Sequence, residues 1–215
     1  MLQVGLTGGI GSGKSTVARR LVARGALLVD SDVLAREVVA PGTDGLAEVA
    51  ATFGEGVLDA SGALDRPALA AVVFNDEAAR AALNAIVHPP VGVEIQRRVA
   101  EAAGGDGVVI LDVPLLGEAS RRQVAAVLVV DCPVETAVAR LVGSRGMAEA
   151  DARARIAAQV SRSERLALAD FVVDNSGPPE ALEAEVERAW AWIEGLRAGA
   201  RQGGPGAGET VVPPR

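Results

Sequence analysis

The sequence predicts an α/β fold: a five-stranded parallel sheet with helices on both faces. Two observations predict it. Short apolar runs alternate with stretches of helical spacing along the 215 residues, the pattern of a parallel sheet covered on both sides. The first run ends in a glycine-rich turn that opens straight into a helix. The other motifs also fall where apolar runs end, and in such sheets ligands sit beyond the carboxyl ends of the strands.

Each element follows in order. Residues 2–6 form a short apolar run, read as a buried strand. Residues 15–24 have helical spacing, with Val17, Ala18, Leu21 and Val22 on one face. Residues 26–29 are a second buried strand, closed by Asp30-Ser31-Asp32. Residues 32–54 read as one or two helices interrupted at Pro41-Gly42. Residues 64–99 read as mostly helical, broken at His88-Pro89-Pro90, because a residue before proline is pushed out of the helical region. Residues 108–111 and 124–130 are the third and fourth strands, and Pro133 starts the helix after the fourth. Residues 147–168 read as Arg-rich helix, 171–173 as the fifth strand, and 178–197 as a closing amphipathic helix with Trp190 and Trp192. These two tryptophans are two apart and cannot share one helix face. From residue 199 the chain is rich in Gly and Pro, and a disordered tail (199–215) is expected after a single domain (1–198).

Composition narrows the function classes. Hydrophobic residues make up 49% of the chain and charged residues 23%, enough for a real core. A formal charge of −7 argues against a broad nucleic-acid surface. The single cysteine, Cys132, rules out an internal disulfide and a cysteine zinc site; it reads as a small buried residue after a strand. No stretch approaches the roughly 20 apolar residues of a membrane span. The start of the chain carries no basic n-region, so a cytoplasmic protein is expected; a monomer is expected as well.

The glycine-rich turn carries chemistry. Gly8-Gly9-Ile10-Gly11-Ser12-Gly13-Lys14-Ser15 fits G-x-x-x-x-G-K-[ST], with a strand before it and a helix after it. Glycines let backbone N–H groups turn inward around phosphate oxygens, and the helix adds its positive end. Gly9, Gly11, Ser12, Gly13, Lys14, Ser15 and Thr16 are the expected nucleotide-binding residues. Lys14 is a compact cation able to follow the β- and γ-phosphates, and the Ser15 hydroxyl suits Mg²⁺. Of the 21 basic residues, Lys14 is the one lysine, so a chain that otherwise uses Arg keeps Lys at this position. Three strands end in Asp: Asp30, Asp112 and Asp131. Spacing leaves open which of them lies on the Mg²⁺ side, and Asp112 is the candidate.

What the nucleotide does is a separate question. A GTPase needs an Asn-Lys-x-Asp segment, which a chain with one lysine at position 14 lacks. Asp59-Ala60-Ser61-Gly62 mimics a switch motif but follows no clear strand, and reads as a turn. The stretch holding Arg140, Arg145, Arg153, Arg155, Arg162 and Arg165 suits a kinase, in which arginines neutralise the transferring phosphoryl group and a lid excludes water. Arg153 and Arg155 read as a solvated face. Arg140 and Arg145 follow the fourth strand and are expected to meet phosphate.

Together these motifs resemble the dephospho-coenzyme A kinase family. The resemblance runs from Val4 to about Trp192. Besides the phosphate loop it rests on Asp30-Ser31-Asp32 with Ala35-Arg36 and Val38-Val39, on Phe53-Gly54, and on Leu64-Asp65-Arg66 with Val73-Phe74. It continues through His88-Pro89, Leu111-Asp112-Val113-Pro114-Leu115-Leu116, Arg140 with Arg145, Gln159, Ala169-Asp170 and Asp174-Asn175. The family usually has Asp-Ala-Asp at 30–32 and an aromatic where Gly117 stands, so the acceptor pocket loses some wall here. The resemblance implies ATP and Mg²⁺ as cofactors and transfer of phosphate to the ribose 3′-hydroxyl of dephospho-coenzyme A. It also implies a helical acceptor-binding region at about 32–104 and a lid at about 143–168. Asp32 then accepts the hydroxyl proton, with capping of the following helix as its bland alternative. Lys14 and Arg140 act in transfer, Arg145 and Asn175 on the nucleotide, and Arg36, His88 and Leu115 on the acceptor. His88 could equally be a turn residue before two prolines. Two rival classes are another P-loop small-molecule kinase, of nucleoside monophosphate or shikimate type, and a nucleotide-binding protein without transfer activity. Asp32, His88 and Leu115-Leu116 speak against the first, and the arginine cluster against the second.

Overall fold

The computed structural model describes residues 1–74, 76–102, 107–112, 121 and 124–202. Five strands, β1 (Leu2–Gly8), β2 (Leu27–Asp30), β3 (Val108–Asp112), β4 (Ala126–Asp131) and β5 (Phe171–Asp174), form one sheet in the order β2-β3-β1-β4-β5. β1 lies at its centre and pairs in parallel with β3 on one side and β4 on the other. β4 pairs in parallel with β5. β3 and β4 are buried at every position, as expected of strands covered on both faces. Because β1 is central, its carboxyl end, Gly8, opens where strand order reverses, and the phosphate loop starts there.

The chain divides into two compact units, Met1–Leu28 with Gly105–Arg215, and Val29–Gly104. The first holds α1 (Lys14–Val22), α6 (Val134–Arg145), α7 (Glu149–Ala157), α8 (Arg162–Ala167) and α9 (Ala181–Gln202). Its core joins Val4 and Leu6 of β1 to Val17 and Leu21 of α1 and to Val186 and Ile193 of α9, all fully buried. Trp190 and Trp192 are both half-buried against that core, so the helix uses the two flanks of its apolar stripe, and the Trp192 ring lies 5.1 Å from that of Phe171. Cys132 is buried just after β4. The segment expected as one Arg-rich helix is instead α7 and α8. Ser161 stops it: its side chain accepts from the Glu164 amide while Glu164 reaches back to the Ser161 amide, a reciprocal cap that starts a new helix.

The second unit is helical: α2 (Ser31–Glu37), α3 (Asp44–Phe53), α4 (Arg66–Val73) and α5 (Glu77–Ala102), with a 3-10 turn at Glu55–Val57. Val39, Val49, Val57, Leu69 and Ile86 make its core. The break expected at Pro89-Pro90 is absent, and α5 runs through both prolines. Each lacks an N–H, so the carbonyls of Ala85 and Ile86 lose their intrahelical donors. Burial of Ile86 before the prolines and Val99 after them holds both halves of the helix in place. Asp59 accepts from the Ser61 and Ala63 amides, which makes 59–62 the turn its sequence suggests. The tail was expected from residue 199, but α9 runs on to Gln202; the rest of it, and Leu115, expected on the acceptor side, lie outside the described residues. Among the described residues no helix is long and apolar enough to cross a membrane.

Candidate active site

The phosphate loop of the first unit is built by close approach of backbone. Gly11 and Gly13 have φ of +79° and +91°, which only glycine adopts readily. A β-carbon on Gly8 would stand 2.8 Å from the Val130 carbonyl, and one on Gly11 2.8 Å from that of Ala137. The loop is tied down from three sides. The Gln159 side chain accepts from the Ile10 amide at 2.9 Å. Asn175 Nδ2 donates to the Ser12 carbonyl at 2.7 Å. Cys132 Sγ lies 4.0 Å from the Gly11 carbonyl. Burial pushes the Cys132 thiol pKa up, which keeps it protonated and inert.

The loop ends at α1, whose N-cap, Gly13, offers no side-chain cap. The helix start is thus left to an external anion. Lys14 forms an ion pair with Asp112 at the end of β3, and the Asp112 carboxylate is almost fully buried. Structure therefore sorts the three strand-ending carboxylates. Asp30 caps α2, accepting from the amides of Asp32 and Val33 at 2.9 and 3.1 Å. Asp131 takes Arg162 through Nε and Nη2 at 2.6–3.0 Å. Asp112 is the one beside Lys14. The cap role that sequence left open for Asp32 belongs to Asp30.

Arginines surround the loop, though not all of those expected. Arg140 on α6 turns inward: its Nη2 donates to the Asn175 carbonyl at 2.8 Å, while Nη1 is buried with no hydrogen-bond partner. Ser12 Oγ is likewise buried and unpartnered. Arg145, at the end of α6, is exposed. Arg153 is spent on Glu135 and Glu149, the solvated face its spacing suggests. Two arginines that sequence left unassigned come closest to the loop. Arg165 lies over Gly9, where a β-carbon would stand 2.9 Å from its Nη1, and burial lowers its pKa. Its Nη2 donates to the Val160 carbonyl at 2.7 Å. Arg162 and Arg165 line a cavity of about 270 Å³ with Gly9, Ser12 and Gln159. Their signal was the Ser161–Glu164 cap, which fixes where α8 starts and so where their side chains point.

These features fit a nucleoside triphosphate: a cradle too tight for side chains, a helix start without a cap, and buried donors without partners. They also fit a divalent cation held through phosphates. Among the described residues no group of three or more metal ligands exists, and Mg²⁺ is commonly held by one or two carboxylates plus substrate phosphates.

A second cavity, of about 330 Å³, lies within the helical unit. Ser31, Asp32, Arg66, Asn84 and His88 line it, against an aliphatic wall of Val39, Leu69, Leu83 and Val87. Asp32 and His88, 56 positions apart, thus share one cavity. Arg36 is exposed and does not line it.

Comparison with known proteins agrees with this geometry. Residues 2–180 match the family described as dephospho-CoA kinase. A dephospho-CoA kinase of Thermobifida fusca is 56% identical over 195 residues, 90% of this chain and 97% of its own. One of Streptomyces avermitilis is 56% identical over 192 residues, 89% and 93% of the two chains. A crystal structure from Thermus thermophilus superposes with a TM-score of 0.77 at 34% identity, covering 91% of this chain and 97% of that one. With a match this long and this close, joined to a nucleotide cradle and a separate cavity holding Asp32, the chain belongs to the dephospho-CoA kinase family.

Proposed function

We propose that the chain transfers the γ-phosphate of ATP to the ribose 3′-hydroxyl of dephospho-CoA, releasing CoA and ADP. The observation that carries this is the 56% identity to the T. fusca enzyme along nearly the whole of both chains. The side chains divide into two tasks. In the first unit the amides of Gly9, Gly11, Ser12 and Gly13, with Lys14 and Thr16, take the phosphates. Lys14 then exchanges its Asp112 partner for phosphate oxygen. Asn175 holds the loop backbone in shape, and Arg140 steadies the Asn175 carbonyl while its second nitrogen serves the nucleotide side. Arg145 adds charge from the exposed end of α6. Ser15 and Asp112 would hold Mg²⁺, which would shield the charge of the β- and γ-phosphates.

In the second unit Asp32 takes the acceptor. Its carboxylate accepts the 3′-hydroxyl hydrogen bond and receives the proton as oxygen bonds to phosphorus. The bond from phosphorus to the β–γ bridging oxygen breaks, and its electron pair leaves with ADP. His88 and Leu115 complete the acceptor side. We take a monomer as the working form and place it in the cytoplasm. The test is a coupled ADP-release assay over a panel of acceptors: dephospho-CoA, shikimate, nucleoside monophosphates and water. ADP release with dephospho-CoA, well above the others, is expected. Preference for any other acceptor refutes the reading.

A further inference from the structure

The cavity of the helical unit contains more charge than the roles above use. Arg66 lines it together with Asp32 and His88. The other arginines of this unit are spent or lie elsewhere. Arg97 pairs with Glu94 and Glu101, and Arg98 with Glu94 and Glu37. Arg36 and Arg80 do not line the cavity. Arg66 takes part in none of the ion pairs among the described residues. The carboxylate next to it in sequence does not neutralise it: Asp65 caps α4 by accepting from the Ala68 amide at 3.0 Å. Nor does Asp32, which shares the cavity without forming an ion pair with Arg66.

The backbone that carries Arg66 is fixed, while its side chain is exposed at the cavity. It is the first residue of α4, followed by Pro67, which locks the backbone at that helix start. Leu64 before it bridges to Leu58, and Leu64 and Leu69 on either side both line the same cavity. One cavity therefore presents a carboxylate, an unspent guanidinium and an aliphatic wall. The complementary ligand has a hydroxyl, an anionic group and a flat apolar ring.

We propose that Arg66 is a specificity-determining residue that binds the 5′-diphosphate bridge of the acceptor while Asp32 holds the 3′-hydroxyl and the aliphatic wall takes the adenine. This rests on the reading of the cavity as the acceptor site. A guanidinium offers two parallel N–H donors to phosphate oxygens, a strong and directional contact. The inference separates acceptors by their charge: a nucleoside carrying a 5′-diphosphate is held, and a neutral nucleoside is not.

The experiment is steady-state kinetics of the full chain with dephospho-CoA and ATP, comparing wild type, Arg66→Gln and Arg66→Lys, with melting curves for all three. Losing a charge-assisted contact should raise KM for dephospho-CoA about 10- to 100-fold in Arg66→Gln. KM for ATP, kcat and melting should stay close to wild type, because the helix cap is on Asp65. Arg66→Lys keeps the charge and should recover a large part of the loss. In wild type, KM for dephospho-CoA should rise with ionic strength, and in Arg66→Gln that slope should flatten. An unchanged KM for dephospho-CoA, or an equal rise in KM for ATP, overturns the proposal, as does a fall confined to kcat. If Arg66→Gln fails to fold, the Arg66→Lys shift in KM and its salt slope decide instead. A wild-type enzyme that ignores dephospho-CoA altogether refutes the proposed function, a result distinct from all of these.

Discussion

Gly13→Ala puts a number on how the phosphate loop is held. Gly13 sits at φ +91°, ψ 15°, and an alanine there costs about 1–2 kcal/mol in backbone strain. The new β-carbon would also lie 2.2 Å from Asn175 Nδ2. That amide has to move, and it is the donor to the Ser12 carbonyl at 2.7 Å. Leaving buried groups unsatisfied costs about 1–3 kcal/mol more. The total is about 2–5 kcal/mol, and at about 2–4 °C per kcal/mol for a chain of this size Tm should fall by about 4–20 °C. A double-mutant cycle isolates the collision. In an Asn175→Ala background no amide stands in the way, so Gly13→Ala should cost only its backbone share. The two single penalties should then sum to about 1–3 kcal/mol more than the double mutant loses. Thermal and urea unfolding of the four proteins give these values. A single mutant melting within about 2 °C of wild type, or an equal cost in both backgrounds, refutes the claim that Asn175 braces the loop through Gly13.

Three further outcomes are expected. Lys14→Ala should nearly abolish ADP release and also lower stability by on the order of 2 kcal/mol, because it removes the ion pair to a buried carboxylate; Lys14→Arg should be impaired in turnover too, since the guanidinium is larger. Asp32→Asn should cut turnover at least about a hundredfold while melting within a few degrees of wild type, because the cap of α2 is on Asp30; a normal rate per folded molecule removes the assigned base. Glu94, held at about 2 by Arg97 and Arg98 against an ordinary 4.5, contributes stability that is complete above the ordinary value and fades as pH falls towards the lowered one; the stability difference between wild type and Glu94→Gln, read from urea unfolding, should therefore shrink from about pH 5 to about pH 3.

Sequence reading reached furthest where chemistry is local. The phosphate loop needs consecutive glycines after a strand, so residues 8–16 announce it without help from the rest of the chain. The strands were legible because full burial demands unbroken apolar runs, as in residues 108–111. What distant segments do to one another was not legible. Lys14 and Asp112 are 98 positions apart, and no spacing rule separates Asp112 from Asp30 and Asp131, which end their strands just as it does. Arg140 lies 35 positions from Asn175, and pattern alone cannot tell an inward guanidinium from an exposed one such as Arg145. Arg162 and Arg165 were hidden by reading 147–168 as one helix, although Ser161 and Glu164 carried the stop signal. The proline pair misled for the opposite reason. A proline disfavours helix at the residue before it, and packing around Ile86 and Val99 overrides that preference.

That proline pair has a consequence for cooperativity. A helix opens and closes by passing hydrogen bonds from turn to turn, and two consecutive residues without an amide interrupt the relay. Opening on one side of Pro89-Pro90 is then poorly transmitted to the other. The two halves of α5 are anchored separately: the first by Ile86 in the helical core, the second by burial of Val99 and by the ion pair of Arg98 with Glu37 on α2. Asn84 and His88 belong to the first half. The part of the cavity wall built from Leu83, Asn84, Val87 and His88 can thus loosen without melting the rest of a 26-residue helix. Amide exchange along α5 would register this as two protection levels meeting at the prolines rather than one.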